Sequence, residues 1–357
     1  MKLGLGLYKS LLNDNNFEFA KQAGATHLVV HLVDYFNSDG NNPELMQDYL
    51  KGWGVTKNQN KLWEYDQLIA LKKQIESHGL KWEAIENFDP SHWYDILLDG
   101  PKKDQQLENL KYMIRNIGKA GIPILGYYFS LAGVWGWSSG KFGRGNSNSV
   151  VFDKSKIDST TPIPNGMIWN MVYDPDAPKG TIPPVETEEL WQRFEYFLSR
   201  VMPIAEENNV RLVAHPDDPP LESLRGSARL IYKPELYDKL LSTVDSPSNG
   251  LEFCMGTIQE MANSDVYESL DKYSKINKIG YIHFRNVVGK VPHYREAFVD
   301  EGDIDMLKAL KILKANDYQG ILIPDHTPEM NSSSPWHTGM AFAMGYMKAA
   351  LQSLDIR

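Results

Sequence analysis

The sequence is poor in several features that would point to particular classes of protein. Its single cysteine, Cys254, excludes an intrachain disulfide and is typical of a reducing compartment. No apolar run approaches the roughly 18 residues that cross a bilayer, and the first residues do not resemble a signal peptide. With 46 acidic and 37 basic residues, the net charge of −9 argues against nucleic acid or an anionic membrane as partner.

Common nucleotide-binding and redox motifs are also missing. The pair Gly4-Leu-Gly6 lies inside a predicted strand and not in the turn after it, and no Walker phosphate loop or Cys-x-x-Cys pair occurs. The composition is otherwise ordinary, since 42% of the 357 residues are apolar and 23% are charged. We therefore expect a soluble, cytoplasmic α/β protein.

Short apolar runs alternate with segments whose apolar residues recur at helical spacing. The predicted strands are Lys2–Tyr8, Thr26–His31, Leu80–Glu86, Ile122–Tyr128, Val210–Ala214, Leu251–Cys254, Gly280–Phe284 and Gly320–Pro324. The predicted helices are Asn15–Ala23, Leu62–Ser77, Leu107–Lys119, Thr187–Glu207, Pro234–Leu241, Val266–Ile276, Ile304–Ala315 and Trp336–Ser353. The alternation of strands and helices predicts that the strands pair in parallel. Eight strand–helix units are the number that closes a (β/α)8 barrel. A doubly wound open sheet is the alternative.

Long insertions follow predicted strands two, three and four, at Asp34–Lys61, Asn87–Asp104 and about 130–185. In a barrel, the segments that follow the strands lie on the face that carries active sites. The third insertion is rich in Gly, Ser, Asn and Pro but contains scattered aromatic residues, so we expect a packed lid and not a disordered linker. No linker divides the sequence, and we predict a single domain over residues 1–357.

Four residues of metal-ligand type stand at the ends of predicted strands five to eight. They are His215, Cys254, His283 and Asp325. The mouths of neighbouring barrel strands converge, and two imidazoles, a thiolate and a carboxylate make a suitable ligand set for a divalent metal. Each residue also has a simpler explanation, because a buried cysteine or histidine is often structural and an aspartate often caps a helix.

Arg285 follows His283 by two residues and would point the same way along an extended segment. Its guanidinium could bind a substrate carboxylate in a bidentate manner. The alternative is an ion pair with Asp217, Asp218 or Asp325. The two carboxylates at 217 and 218 could in turn orient metal-bound histidines or cap a turn.

Further polar residues are candidates for contact with a substrate or for proton transfer. His326, adjacent to Asp325, has a pKa range suited to proton transfer, or it supports the site without moving a proton. Glu86, at the end of predicted strand three, could hold substrate hydroxyls or be a buried ion-pair partner. Asn286, next to Arg285, is a third predicted substrate contact.

Together these motifs resemble those of the mannonate dehydratase family. They are Ala-His215-Pro-Asp-Asp-Pro-Pro, Gly-Leu-x-Phe-Cys254-x-Gly, Ile-His283-Phe-Arg285-Asn286-Val, Glu301-Gly-Asp-x-Asp305-Met and Ile-x-Pro-Asp325-His326. The clear resemblance runs from Arg211 to about Ser353, with a fainter one over the first 130 residues.

The resemblance implies a metal-dependent TIM barrel, related in fold to xylose isomerase, that converts D-mannonate into 2-keto-3-deoxy-D-gluconate and water during hexuronate catabolism. The family's metal ligands fall on His215, Cys254, His283 and Asp325, and its catalytic histidine falls on His326. The family usually uses Mn²⁺. Fe²⁺, Co²⁺ and Zn²⁺ are alternatives, and a thiolate ligand suits iron or zinc better. Barrels of this kind often form homo-oligomers.

The sequence departs from the family pattern in two places. The family carries a Pro-Gly-Tyr-Gly stretch whose tyrosine is an acid/base group, and this chain has Ser334-Pro335-Trp336-His337-Thr338-Gly339, which aligns His337 with the tyrosine. After strand four, Leu131-Ala-Gly-Val-Trp135-Gly-Trp137-Ser replaces the family's Asp-Trp-Thr-Arg, so an arginine that contacts the substrate is missing.

We therefore predict a hydro-lyase for a small sugar acid, D-mannonate by default, in which His326 and His337 share proton transfer. Abstraction of the proton alpha to the carboxylate and loss of the beta-hydroxyl would give the 2-keto acid. One alternative is a sugar isomerase or epimerase that uses the same metal. The other is a non-catalytic, metal-dependent sugar-acid binder, since fold alone does not establish catalysis.

Overall fold

A closed barrel of eight parallel strands forms the centre of the molecule. The computed structural model describes residues 1–35, 54–56 and 61–356. The barrel strands are β1 (Lys2–Leu7), β2 (His27–Val30), β3 (Lys81–Glu86), β4 (Ile124–Tyr127), β5 (Arg211–Ala214), β6 (Asn249–Cys254), β7 (Ile279–His283) and β8 (Ile321–Ile323). Each strand pairs with the next along the chain, and Lys2 opposite Ile321 closes the ring. The predicted (β/α)8 class is confirmed, and the open sheet is excluded.

The described residues contain ten α-helices. They are α1 (Asp14–Gln22), α2 (Tyr65–Ser77), α3 (Tyr94–Leu98), α4 (Lys103–Lys119), α5 (Thr187–Glu207), α6 (Leu236–Thr243), α7 (Met255–Glu260), α8 (Val266–Lys275), α9 (Met306–Ala315) and α10 (Pro335–Ser353). All eight predicted helices are present, and the short helices α3 and α7 are additional. In the part of the chain that the structure describes, none of the helices has both the length and the apolar composition needed to cross a bilayer.

Helix α8 shows how the local sequence fixes an element. The carboxylate of Asp265 accepts hydrogen bonds from the backbone N–H groups of Tyr267 and Glu268, which have no partner within the helix. Lys272 and Lys275 lie in the last turn, where positive charge is favourable beside the free carbonyl groups. Its buried side carries Val266, Leu270 and Tyr273. Capping and an apolar stripe therefore explain why the predicted and observed bounds agree.

The inside of the barrel is packed with side chains and is not a pore. The buried cluster there consists of Val29, Ala84, Ile124, Val213, Tyr281, Ile321 and Ile323. On β4, Gly126 leaves room for larger neighbours, because a Cβ at this position would collide with the carboxylate of Glu252 and the hydroxyl of Tyr281. A carboxylate is thus accommodated inside an otherwise largely apolar barrel.

The insertions after the strands form ordered structure at the mouth of the barrel. After β3, residues 87–104 contain a 3-10 turn (Pro90–His92) and α3, whereas most of the predicted insertion 34–61 lies outside the described residues. After β4, Trp137–Gly140 and Ser149–Asp153 are strands of a four-stranded antiparallel sheet. A hairpin after β7, Asn286–Lys290 and His293–Ala297, completes this sheet, which we call the mouth sheet. The sequence pattern did not predict this hairpin.

Candidate active site

A cavity of about 480 Å³ opens where the barrel strands end and the mouth sheet begins. This volume is in the range typical of small-molecule sites. The predicted site residues in its wall are Glu86, His215, His283, Arg285, Asp325 and His326. The mouth sheet contributes Trp137 and Glu296 to the same wall. Most of the predicted site residues are therefore brought together, although their roles remain predictions.

Three of the four predicted metal ligands form one compact group. The ligand atoms of His215, Cys254 and His283 all lie within 4.8 Å of one another. Asp325 belongs to a second group, together with Glu86 and the same His283. The two groups are joined at His283, whose Nδ1 lies 3.3 Å from Oδ2 of Asp325.

The electrostatics of these groups favour ionised ligands. Burial alone would raise the pKa of the Cys254 thiol, but hydrogen bonds with His215 and His283 hold it well below its ordinary value. Burial also opposes ionisation of Asp325, yet the charges of His283 and His326 keep the pKa of its carboxyl well below the usual range. A thiolate and a carboxylate, the forms that bind metals, therefore stand beside two imidazoles.

This donor set fits a divalent cation. Ligand bonds of about 2.0–2.3 Å allow donor atoms to be up to roughly 4.5 Å apart around one ion, so small side-chain shifts would suffice for His215, Cys254 and His283, with Asp325 in the adjoining group. Glu86 adds another buried negative charge. Burial alone would raise the pKa of its carboxyl, but the charges of His31 and His283 outweigh this effect and lower it. A concentration of buried anionic groups is stabilised by a cation, and the mixed sulfur, nitrogen and oxygen donors suit a transition metal.

His326 is held between two carboxylates at the rim of the cavity. Its Nδ1 is hydrogen-bonded to Oε1 of Glu296, and its Nε2 lies 3.4 Å from Oδ2 of Asp325. The ring also packs edge-on against Trp137, with centroids 5.5 Å apart. Burial alone would lower the pKa of His326, but Asp325 and Glu296 raise it above the ordinary value. The imidazole is thus oriented and favours the protonated form, as a proton donor requires.

Arg285 is paired with two carboxylates of the protein. Its Nη1 lies 3.0 Å from Oδ2 of Asp218, and its Nη2 lies 2.9 Å from Oε1 of Glu260. The guanidinium is buried and lies under the ring of Trp137, 5.2 Å from the centroid. The ion pair considered as the alternative is present, and Arg285 still forms part of the cavity wall.

Asp217 and Asp218 do not orient the histidines. Asp217 forms a buried ion pair with Arg229, with 2.7 Å between Oδ1 and Nε. Asp218 accepts a hydrogen bond from the hydroxyl of Tyr294 at 2.7 Å in addition to its contact with Arg285. The Asp-Asp pair therefore fixes two buried arginines, a role that differs from both alternatives considered from the sequence, orienting histidines and capping a turn.

Replacing Asp217 by asparagine should lower the free energy of unfolding by about 3–5 kcal/mol, because the buried charge of Arg229 would lose its partner. Chemical denaturation followed by circular dichroism measures this change. Asp300→Asn is the matched control, since its pair with the half-exposed Arg144 is worth less than about 1 kcal/mol. Equal, small effects of the two substitutions would contradict a structural role for the buried pair.

His337 does not reach the cavity. Trp336 and Met340, four residues apart on α10, line the cavity, and His337 is turned by about 100° from Trp336 around the helix. Its Nε2 lies 2.8 Å from Oδ1 of Asn16 on α1, and its ring packs edge-on against Phe19 at 4.9 Å. The structure therefore gives no support to the prediction that His337 shares proton transfer, because the residue contacts α1 and not the cavity.

Asn286 is also used for structure. Its Nδ2 donates to the backbone carbonyls of Val299 at 3.3 Å and Ile304 at 3.0 Å, and its Oδ1 accepts from the N–H of Ile304 at 3.1 Å. The residue is not part of the cavity wall. Asn286 thus fastens the segment that follows the mouth sheet, and the predicted substrate contact is corrected.

Three acidic residues at the site were missed from the sequence. Glu296 belongs to the unpredicted hairpin, and Glu260 lies on the unpredicted helix α7. Glu252 precedes Cys254 by two residues, and its Oε1 lies 3.2 Å from Nε2 of His283. Only Glu252 had a signal in the sequence, because alternate residues of a strand share a face.

A closed barrel with catalytic-type side chains at the carboxyl ends of its strands defines a (β/α)8-barrel enzyme. The family model described as D-mannonate dehydratase (UxuA) matches residues 52–354. The chain therefore belongs to the mannonate dehydratase family and is a hydro-lyase.

Known relatives agree with this family. The mannonate dehydratase of Streptococcus pneumoniae (strain 70585) is 33% identical over 276 residues, which is 74% of each chain. That of Thermotoga maritima is 30% identical over 285 residues, 74% of this chain and 78% of the other. The crystal structure of mannonate dehydratase from Streptococcus suis serotype 2 has a TM-score of 0.77 and 27% identity, and the match covers 99% of this chain and 95% of that one.

More distant structures share the barrel alone. A D-tagatose 3-epimerase-like protein has a TM-score of 0.58 at 12% identity, over 99% of this chain and 98% of that one. A xylose isomerase domain protein from Planctomyces limnophilus has a TM-score of 0.57 at the same identity, with the same coverage. These likenesses support the fold and carry no information about the reaction.

Proposed function

We propose that this chain dehydrates an aldonic acid, with D-mannonate as the expected substrate and 2-keto-3-deoxy-D-gluconate and water as products. Family membership supports dehydration of a sugar acid. The observation that carries the proposal is the shared cavity, in which the oriented imidazole of His326 stands beside the predicted ligands His215, His283 and Asp325. Proton transfer and charge stabilisation can therefore act on one small molecule.

We further propose that His215, Cys254, His283 and Asp325 hold a divalent cation, Mn²⁺ by resemblance to the family. When bound, such a cation stabilises the negative charge that develops as the proton alpha to the carboxylate is removed. The proximity of the three ligand atoms of His215, Cys254 and His283, within 4.8 Å, supports this assignment.

The reaction requires two proton transfers that the chain's own residues must provide. The C2–H proton goes to a base, the C3–O bond breaks, and the departing hydroxyl takes up a proton and leaves as water. The enol that remains becomes the 2-keto acid. His326 is assigned the acid step, because Glu296 and Asp325 favour its protonated form. Arg285, in the cavity wall, is assigned attraction of the substrate carboxylate.

The second proton carrier must come from a residue other than His337. The cavity wall contains the titratable residues Tyr8, His31 and Glu86. His31 differs from His326 in that burial, the largest effect on it, lowers its pKa and so favours the neutral imidazole. A neutral imidazole can accept a proton, and a charged one can donate it.

Incubation of the metal-loaded protein with D-mannonate should release a 2-keto-3-deoxy acid, detected by its chromogenic reaction and by mass spectrometry as loss of one water. The chelator-treated protein is the control and should be inactive. An epimer without loss of water would contradict the lyase assignment. Binding of hexonates in calorimetry, with no product from a panel of C5 and C6 sugar acids, would also contradict it.

A further inference from the structure

Glu252 lies inside the barrel, directly beside the predicted cation ligands. It is fully buried, on β6, and points to the same face of the strand as Cys254 two residues later. Its Oε1 lies 3.2 Å from Nε2 of His283. Neither the proposed cation site nor the proposed proton transfers use this carboxylate.

The two ring nitrogens of His283 have different surroundings. Nδ1 lies 3.3 Å from the carboxylate of Asp325, one of the predicted ligands. On the other side of the ring, Nε2 is hydrogen-bonded to Oε2 of Glu86 at 3.4 Å and lies 3.2 Å from Oε1 of Glu252. A metal-bound imidazole coordinates through one nitrogen and donates the N–H of the other, often to a carboxylate. The geometry therefore leaves Nδ1 for a cation and Nε2 for the proton.

The barrel keeps space for this carboxylate. A side chain on Gly126 would collide with the carboxylate of Glu252 and with the hydroxyl of Tyr281. Burying a carboxylate is costly unless it is paired, and apolar residues such as Val29 and Val213 fill the same interior elsewhere. Filling the barrel therefore does not explain a glutamate at this position. Both buried oxygens of Glu252 lack a hydrogen-bond partner among the described residues, and Nε2 of His283 lies 3.2 Å from one of them.

We propose that Glu252 is a positioning residue of the cation site: its carboxylate, 3.2 Å from Nε2 of His283, acts with that of Glu86 to hold the imidazole proton on Nε2 and so directs the Nδ1 lone pair toward the cation. Glu86, which accepts the hydrogen bond from Nε2, also faces His31 at 3.6 Å, whereas the ion-pair contact of Glu252 among the described residues is with His283. This inference rests on the cation site of the proposed function.

The test is the affinity of the purified protein for Mn²⁺ and Zn²⁺, measured without substrate by competition with a chelator. Glu252→Leu removes the carboxylate and should weaken binding roughly 10- to 100-fold. Glu252→Gln keeps an acceptor oxygen and should recover most of the affinity. Glu83→Gln is the matched control, because Glu83 faces His27 at 3.6 Å at the amino-terminal end of the barrel and should leave the affinity unchanged.

A second measurement needs no substitution. Long-range ¹H–¹⁵N correlation spectra of the Zn²⁺-loaded wild-type protein should show His283 protonated at Nε2 and coordinated through Nδ1. Coordination through Nε2, or equal affinities of wild type and Glu252→Leu, would overturn the inference and leave the proposed function intact. Failure of the wild-type protein to bind either cation would contradict the proposed function itself and this inference with it.

Discussion

Replacement of Cys254 by alanine should leave a folded protein that no longer retains a divalent cation. The thiolate is the negatively charged donor in the group that Cys254 forms with His215 and His283. The ligand atoms of these three residues lie within 4.8 Å of one another. Its loss removes the charge and one of the coordination positions, and metal affinity depends on a complete, deprotonated ligand set. Elemental analysis after gel filtration should find about one metal per chain in the wild type and almost none in the variant.

The chain offers favourable controls for this experiment. Cys254 is its only cysteine, so a thiolate-to-metal charge-transfer band in the Co²⁺-loaded protein can come from this residue alone. His283→Ala should lose the metal as well, whereas His337→Ala, whose ring contacts α1, should retain it. Full metal occupancy in Cys254→Ala, together with the absence of the charge-transfer band from the Co²⁺-loaded wild type, would exclude the cysteine from the ligand set.

Substitution of His326 by glutamine should reduce kcat by roughly 10²- to 10⁴-fold, the usual contribution of one acid/base group. The imidazole is hydrogen-bonded to Glu296 and lies 3.4 Å from Asp325, so its orientation and its protonated form are both supported. The side chain of glutamine does not titrate near neutral pH and so cannot donate or accept the proton. Because His326 is not one of the predicted ligands, the metal content should stay at the wild-type value.

His337→Gln is the matched control for this prediction. Both histidines were candidates for proton transfer from the sequence, but Nε2 of His337 lies 2.8 Å from Oδ1 of Asn16, and His337 is not part of the cavity wall. Its substitution should leave kcat and KM close to those of the wild type. A comparable loss of kcat in both variants, at unchanged stability, would contradict the separation of roles.

The strand ends of the site could be predicted from the sequence because of a simple regularity. In a parallel barrel, the residue after each apolar run lies at the same mouth, so His215, His283 and Asp325 follow from the strand positions alone. Helix bounds such as Thr187–Glu207 were equally accessible, since the apolar residues Leu190 and Phe194 recur at helical spacing. Local patterns were sufficient for these features.

The remaining parts of the site depend on information that local patterns do not contain. Glu296 reaches His326 only because a hairpin pairs with a strand from another insertion, about 140 residues earlier in the chain. His337 was predicted from its alignment with the tyrosine of the family, and such an alignment does not fix which side of α10 faces the cavity, since one residue along a helix turns a side chain by about 100°. The position of Glu252 could have been predicted from the alternation of side chains along its strand. A glutamate inside a barrel, however, contradicts the usual preference for apolar residues there.

X-ray absorption at the zinc K-edge of the Zn²⁺-loaded wild-type protein would examine the ligand set directly. One sulfur at about 2.3 Å, imidazole scattering from two histidines and one carboxylate oxygen at about 2.0–2.2 Å make up the expected first coordination sphere. A shell of nitrogen and oxygen atoms without sulfur would show that the sole thiol of the chain does not bind the ion, and the proposed centre would have to be abandoned.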